Sequence, residues 1–175
     1  MAASSLVRYL PRMIKSKDSF RVCELGCGPG LPSIAAASVF MEEKKGNMEV
    51  LATDLDPLAI EMVRKAADDQ EFGKGVFRCG IFDLESRGEL PPADLYVLSD
   101  VFETNSIAVH SAYHVAEAVK EGKQVWVFAQ ADRIQREAFL DELSTLTNQS
   151  LRWSSDLDLS KKLWLCDIDE LRVIY

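Results

Sequence analysis

Residues 24–31 read Glu24-Leu25-Gly26-Cys27-Gly28-Pro29-Gly30-Leu31. They follow an apolar segment and precede a helical pattern, so they predict a tight turn from a strand into a helix. Glycines in such a turn let the backbone bend sharply and let a ligand approach without meeting a Cβ. In parallel sheets, ligands bind beyond the carboxyl ends of the strands, where a turn of this kind lies. The sequence therefore predicts a binding site here.

Short apolar runs alternate with helical patterns along the chain. Strands are predicted at 20–25, 49–53, 76–79, 95–99 and 124–129, with two more near 151–157 and 171–175. Helices are predicted at about 31–42, 57–71, 106–121 and 132–148. This alternation predicts an α/β fold whose mostly parallel sheet of seven strands is covered on both faces. The last two strands have no long helix between them, which predicts an antiparallel edge strand at the C-terminal end.

Length and composition are those of one globular domain spanning residues 1–175. The chain is 47% hydrophobic, and its 28 acidic against 20 basic side chains give a net charge of −8. An acidic chain is a poor sequence-independent binder of nucleic acid. The sequence contains no run of about 18 apolar residues, so we predict no membrane span.

The four cysteines form no CxxC pair, so neither a disulfide framework nor a zinc site is predicted. They are expected to be structural thiols of a protein in a reducing compartment, the cytoplasm. His110 and His114 lie four residues apart without an evident third metal ligand, so we predict no metal site. Both histidines are expected on a solvated helix face.

Residues 1–19 are predicted to form an N-terminal helix with several basic residues and an apolar stripe that includes Leu6, Leu10 and Ile14. Two interpretations remain open at this point. The helix either docks on the domain through its apolar stripe or belongs to the transit peptide of a mitochondrion or another organelle.

Acidic residues follow the first three predicted strands or lie at their ends: Glu24, Asp54 and Asp83. The glycine spacing is G-x-G-x-G, so Leu31 stands where a nicotinamide-binding fingerprint has its third glycine. Pro29 also removes a backbone N–H that a phosphate would need. An acid two residues before the first glycine favours a cationic ligand over a polyanion. These features disfavour a nicotinamide-dependent oxidoreductase.

With this acid-x-G-x-G-x-G turn, the sequence resembles the class I, seven-strand S-adenosylmethionine-dependent methyltransferases. The resemblance implies a Rossmann-like three-layer αβα sandwich, with a cofactor-binding half at 20–105 and a C-terminal half at 106–175. It implies that the glycines line the methionine part of S-adenosylmethionine, that Asp54 binds the ribose and that Asp83 meets the adenine. The implied cofactor-binding residues are Glu24, Gly26, Cys27, Gly28, Gly30, Asp54, Leu55, Phe82, Asp83 and Ser99.

The segment after the fourth strand, Ser99-Asp100-Val101-Phe102-Glu103, is expected to face the transferred methyl group. Together with the string GLPSIAAA after the glycines, it is most similar to a branch rich in protein-lysine methyltransferases, which also includes a nicotinamide N-methyltransferase. The segment Phe128-Ala129-Gln130-Ala131-Asp132-Arg133 is similar to the same branch. Lysine-modifying members have D-x-x-Y or D-x-x-F where this chain has Asp100-Val101-Phe102-Glu103.

The resemblance implies methyl transfer to a nitrogen nucleophile, with a protein lysine favoured as acceptor. Asp100, Phe102 and Glu103 are the predicted catalytic residues: the acids hold and orient an amine, and the ring adds a cation–π contact. A structural alternative for Asp100 is to cap the next helix. A small-molecule amine acceptor and a catalytically silent binding or scaffold protein remain the alternative functions.

Overall fold

A sheet of six parallel strands organises the molecule. The computed structural model describes residues 1–43, 46–73, 75–154 and 156–167. The strands are β1 (Ser19–Leu25), β2 (Asn47–Asp54), β3 (Phe77–Ile81), β4 (Leu95–Ser99), β5 (Gln124–Ala129) and β6 (Leu163–Asp167). Their spatial order is β3-β2-β1-β4-β5-β6, and every neighbouring pair is parallel. The order reverses between β1 and β4, which opens a crevice at the carboxyl ends of these strands.

Helices cover both faces of the sheet and bury two apolar cores. They are α1 (Ala2–Ile14), α2 (Leu31–Glu43), α3 (Pro57–Asp69), α4 (Asn105–Lys120) and α5 (Gln135–Thr147). The first core holds the apolar sides of α1, α2 and α3, and the second holds those of α4 and α5. The predicted α/β fold, Rossmann-like with three layers, is therefore confirmed.

The strand predicted at 151–157 is wrong, because the described residues of that segment form no strand. Ser154 Oγ accepts a hydrogen bond from the N–H of Asp156, a local turn that competes with a regular ladder. The strand that pairs with β5 is β6, which the sequence analysis missed. The predicted strand at 171–175, with its antiparallel pairing, lies outside the described residues.

The predicted N-terminal helix is present as α1 and docks on the domain. Leu6, Leu10 and Ile14 are fully buried beside α2. Tyr9 packs edge-on against Trp126 and Trp164 of β5 and β6, with ring centroids 6.5 and 6.4 Å away. This packing is that of the docked helix, one of the two interpretations left open by the sequence. Within the described part of the chain, no helix is long and apolar enough to cross a membrane.

Candidate functional site

A cleft of about 620 Å³ lies at the carboxyl ends of β1 to β4, where the strand order reverses. Its walls are the glycine turn after β1 and the segments that follow β2, β3 and β4. The structure brings ten of the predicted site residues to this cleft: Gly26, Cys27, Gly28, Asp54, Leu55, Phe82, Asp83, Ser99, Asp100 and Glu103. Glu24, Gly30 and Phe102 do not line it.

The glycine turn is held to the end of β2 by backbone hydrogen bonds. The N–H of Cys27 donates to the carbonyl of Thr53 at 2.8 Å, and the N–H of Gly28 donates to Asp54 Oδ2 at 2.8 Å. Gly28 has a φ of +48°, and a Cβ placed on it would meet nothing within 4 Å. The cleft therefore leaves open space beside the Gly28 backbone, as a ligand lying on this turn requires.

Gly30 serves packing and not the cleft wall. Its φ is +73°, and a Cβ built on it would overlap the side chain of Val63 on α3. We therefore correct the predicted cofactor contact of Gly30: this glycine lets α3 approach the turn closely.

Glu24 is buried beneath the turn and supports it from inside. One of its carboxylate oxygens accepts hydrogen bonds from the N–H of Ser33, at 2.9 Å, and from the Ser33 hydroxyl. Burial raises the pKa of Glu24 from 4.5 to about 8, while the bonds from Ser33 oppose that rise. Glu24 thus ties the end of β1 to the first turn of α2.

The segment after β3 presents Phe82 and Asp83 to the cleft. Asp83 Oδ1 accepts from the N–H of Glu85 at 2.8 Å. Phe82 packs edge-on against His114, with centroids 5.4 Å apart, and His114 Nε2 lies 3.1 Å from the carbonyl oxygen of Leu84. His114 is buried and its pKa is lowered by that burial, so the prediction of a solvated His114 is wrong. His114 therefore supports the segment after β3 through its contacts with Phe82 and Leu84.

The lining of the cleft is acidic. Among the lining residues that the structure describes, none is Lys, Arg or His, and six are acids: Asp54, Asp56, Asp83, Glu85, Asp100 and Glu103. Carboxylates favour cations and hydroxyl or amino donors, and they disfavour a pyrophosphate. The site is therefore chemically suited to a cationic ligand with hydroxyl groups.

Asp100 lies on the cleft, but its carboxylate is already paired. Arg133 donates from Nε to Oδ1 at 2.9 Å and from Nη2 to Oδ2 at 2.8 Å, and Gln130 Nε2 lies 3.4 Å from Oδ2. The helix cap is Thr104, whose hydroxyl accepts from the N–H of Ile107. Neither predicted role for the Asp100 side chain, an open ammonium site or a cap, matches this geometry.

Phe102 and Glu103 point to different environments. Phe102 is fully buried and packs on Phe139 and Trp153, with centroids 4.7 and 6.3 Å away. We therefore correct its predicted cation–π role, since no ligand in the cleft can reach its ring. Glu103 is exposed and lines the cleft.

Sequence reasoning missed Ser33, His114 and Arg133 as residues of the site. Arg133 had one available signal, because it ends the segment 128–133, which begins in the fifth predicted strand and continues beyond its end. Ser33 and His114 lie within helices and reach the site only through tertiary packing. A local sequence pattern does not predict such packing.

The strand order and the glycine turn define the sheet as a Rossmann-like fold. A structure from Methanococcus maripaludis, assigned to the S-adenosyl-L-methionine-dependent methyltransferases, matches with a TM-score of 0.52 at 18% identity, over 83% of this chain and 65% of that one. A structure from Listeria monocytogenes, assigned to the class I S-adenosylmethionine-dependent methyltransferases, matches at a TM-score of 0.49 and 15% identity, over 61% of this chain and 33% of that one.

Magnesium protoporphyrin IX methyltransferase from Synechocystis, solved with bound S-adenosylhomocysteine, matches at a TM-score of 0.47 and 20% identity, over 63% and 49% of the chains. The chain thus spans between a third and two thirds of the length of these structures. Neither a family model nor a curated protein matches the sequence. The likeness to the Methanococcus structure confirms the predicted fold.

Proposed function

We propose that this protein is an S-adenosylmethionine-dependent methyltransferase. The observation that carries the proposal is the cleft beside the glycine turn, whose described lining contains six acidic side chains and no Lys, Arg or His. S-adenosylmethionine carries a sulfonium, an ammonium and one carboxylate, and no phosphate, so its net charge is positive and matches this lining. A nicotinamide dinucleotide would bring a pyrophosphate, which favours backbone donors and cations.

The residues of the cleft fit the parts of this cofactor. Asp54 accepts one backbone N–H on each oxygen, from Gly28 and Asp56, and each oxygen keeps a lone pair for a ribose hydroxyl. Phe82 and Leu55 offer apolar surface to the adenine, and Asp83 an acceptor for its amino group. The open backbone at Gly28 would hold the methionine part.

When bound, S-adenosylmethionine supplies an electrophilic methyl carbon on its sulfonium. The chain's task is to align a neutral nucleophile with that carbon, and such positioning contributes several kcal/mol to catalysis. Glu103, exposed on the cleft, would accept a hydrogen bond from the incoming amine and orient its lone pair while the proton leaves to water. Deprotonating a lysine with an ordinary pKa near 10.4 costs about 4–5 kcal/mol at pH 7.

The acceptor we propose is a nitrogen nucleophile, most specifically a protein lysine. An acidic cleft with an exposed carboxylate, that of Glu103, supports an amine acceptor, which arrives as a cation. The similarity of the segments around Ser99–Glu103 and Phe128–Arg133 to lysine-modifying enzymes supports the protein acceptor. A small-molecule amine is the alternative within the same chemistry.

A catalytically silent binding protein is a second candidate, favoured by one observation. Of the three predicted catalytic side chains, Phe102 is buried and Asp100 is paired with Arg133, so only Glu103 is exposed to an acceptor. Such a protein would bind the cofactor and transfer no methyl group.

Calorimetric titration with S-adenosylmethionine, S-adenosylhomocysteine and NADH tests the proposal. We expect both adenosyl ligands to bind with dissociation constants of about 1–100 μM and NADH to give no heat of binding. Absence of adenosyl binding by the folded protein would refute the proposal. Transfer of tritium from methyl-labelled cofactor to proteins, blocked when their lysines are acetylated beforehand, separates a lysine acceptor from a small molecule and from the silent protein.

A further inference from the structure

Asp100 and Arg133 join the segments that follow the two neighbouring strands β4 and β5. Two parallel hydrogen bonds of 2.9 and 2.8 Å connect them, and Gln130 adds a third, longer contact to the same carboxylate. The Asp100 side chain is 23% exposed and that of Arg133 is 39% exposed. A bidentate arginine–carboxylate pair fixes relative orientation as well as distance, since both groups are planar. We call this arrangement the β4–β5 clamp.

The clamp acts on a backbone that has an unusual conformation. Asp100 has a φ of +58°, a left-handed value that few residues with a side chain adopt. Its N–H donates to the carbonyl of Phe128 at 2.8 Å, which continues the β4–β5 ladder by one residue. The turn therefore needs support, and the side chain of Asp100 receives it from Arg133.

The next residue, Val101, connects the clamp to the glycine turn. A Cβ built on Gly26 would lie 2.8 Å from Val101 Cγ1, so the two segments touch at the floor of the cleft. Ser99, Asp100, Val101 and Glu103 together form the cleft wall that faces the turn. Any shift of this segment changes the shape of that side of the cleft.

We propose that Arg133 is a positioning residue: through the β4–β5 clamp it holds residues 99–103 against the glycine turn in the shape that receives the methionine part of the cofactor. The inference rests on the proposed function for the identity of that ligand. It assigns to Arg133 a role that does not involve contact with the reacting atoms. Lysine cannot replace it, because a single ammonium lacks the planar fork that matches both carboxylate oxygens.

Two ligands separate positioning from a general loss of structure. S-adenosylhomocysteine would occupy both sides of the cleft, whereas adenosine would occupy only the side formed by the ends of β2 and β3. We expect Arg133→Gln and Arg133→Lys to weaken S-adenosylhomocysteine by about 10-fold or more and adenosine by less than about 3-fold. Arg78→Gln is the matched control, because it removes another arginine–carboxylate pair, with Glu49, away from the cleft.

Amide hydrogen exchange on the ligand-free chain gives an independent measurement. We expect the amides of residues 100–103 to exchange about 10-fold faster in Arg133→Gln and at unchanged rates in Arg78→Gln. Equal weakening of both ligands, or unchanged affinity for both, would overturn the positioning role. Failure of the wild-type protein to bind either ligand would instead refute the proposed function, and unchanged exchange in Arg133→Gln would show that the clamp does not hold the segment.

Discussion

The Asp54 carboxylate joins the end of β2 to the glycine turn, because it accepts from the N–H groups of Gly28 and Asp56 at 2.8 and 2.9 Å. We expect Asp54→Ala to weaken S-adenosylhomocysteine binding by roughly 30-fold or more, since hydrogen bonds to a charged group are among the strong ones. The loss has two sources, the ribose acceptor itself and the anchor of Gly28. Isothermal calorimetry measures it directly.

Asp94→Ala provides the control for this substitution. Asp94 also accepts a backbone N–H, from Arg21 at 2.9 Å, but it precedes β4 at the opposite end of the strands. Both variants lose a carboxylate bonded to the main chain, yet only Asp54→Ala is expected to lose ligand affinity. Wild-type affinity in Asp54→Ala would contradict the assignment of this residue to the ribose.

Glu24 gives the stability of the protein a pH dependence whose sign follows from its burial. Its pKa is raised from 4.5 to about 8 in the folded chain, so the native state keeps a proton that the unfolded state has released. The contribution of Glu24 to the free energy of unfolding is therefore fully present below about pH 4.5, falls as the pH rises towards about 8, and stays constant above that value. We expect Glu24→Gln to flatten this slope in urea unfolding.

The same carboxyl group should report the charge of the ligand. A sulfonium and an ammonium near the glycine turn favour the ionised form of Glu24, so binding of S-adenosylmethionine near pH 7 should release a proton. We expect a smaller release with S-adenosylhomocysteine, whose sulfur is neutral. Calorimetry in buffers of different ionisation enthalpy measures the release, and an unchanged release in Glu24→Gln would assign it to another group.

At the scale of elements, two glycines of one turn are expected to fail in different ways. Gly30→Ala forces a Cβ into Val63 and a side chain onto a φ of +73°, so it should destabilise the fold by about 2–4 kcal/mol. Gly28→Ala carries a similar backbone strain of about 1 kcal/mol but meets open space, so its Cβ enters the cleft. Urea unfolding and calorimetry on both variants separate the two effects.

The double variant Gly30→Ala with Val63→Ala checks the cause of the Gly30 effect. Removing the Val63 methyl groups vacates the space that the new Cβ needs, so the double variant should lose less stability than the sum of the single variants. Strict additivity would show that backbone strain alone accounts for Gly30→Ala. In Gly28→Ala, the loss of binding free energy for the ligand should exceed the loss of unfolding free energy.

Elements with a strong local pattern were predictable from the sequence. The second predicted helix, for example, has Asp56 as its cap and Pro57 in its first turn, and α3 begins there, with Asp56 Oδ1 accepting from the N–H of Leu58. The strand β6 was not predictable by the same means. It has five residues, of which four are apolar, and it lies close to the segment around Trp153, which also contains apolar residues. Periodicity does not tell which of the two segments pairs with β5.

The candidate site was predictable where topology alone decides it. Parallel strands end at one edge, so the acids and glycines after β1, β2 and β3 had to meet, and most of them do. The side chains of the β4 segment were not predictable, because their environments depend on partners distant in sequence. Phe102 packs against Phe139 and Trp153, and Asp100 is hydrogen-bonded to Arg133, which lies 33 residues later.

At the scale of the whole molecule, the first described element, α1, packs against the last, β6. Tyr9 lies against Trp126 of β5 and Trp164 of β6, and these two indoles pack edge-on at 5.6 Å. β2 and β3 lie on the other side of the sheet, and residues at their carboxyl ends line the cleft. We therefore expect α1 to unfold together with the rest of the domain. The cleft itself is formed by other parts of the chain.

Leu10→Ala tests whether α1 is part of that unit. Leu10 is fully buried in the first core, so its truncation should lower the free energy of unfolding by about 2–5 kcal/mol. Val7, 55% exposed on the same helix, is the control, and Val7→Ala should stay within about 0.5 kcal/mol of the wild type. Circular dichroism and tryptophan fluorescence should give coincident transitions in both variants, with unchanged affinity for S-adenosylhomocysteine. A wild-type midpoint in Leu10→Ala would mean that the helix does not stabilise the domain, because a docked helix cannot lose its central contact without cost.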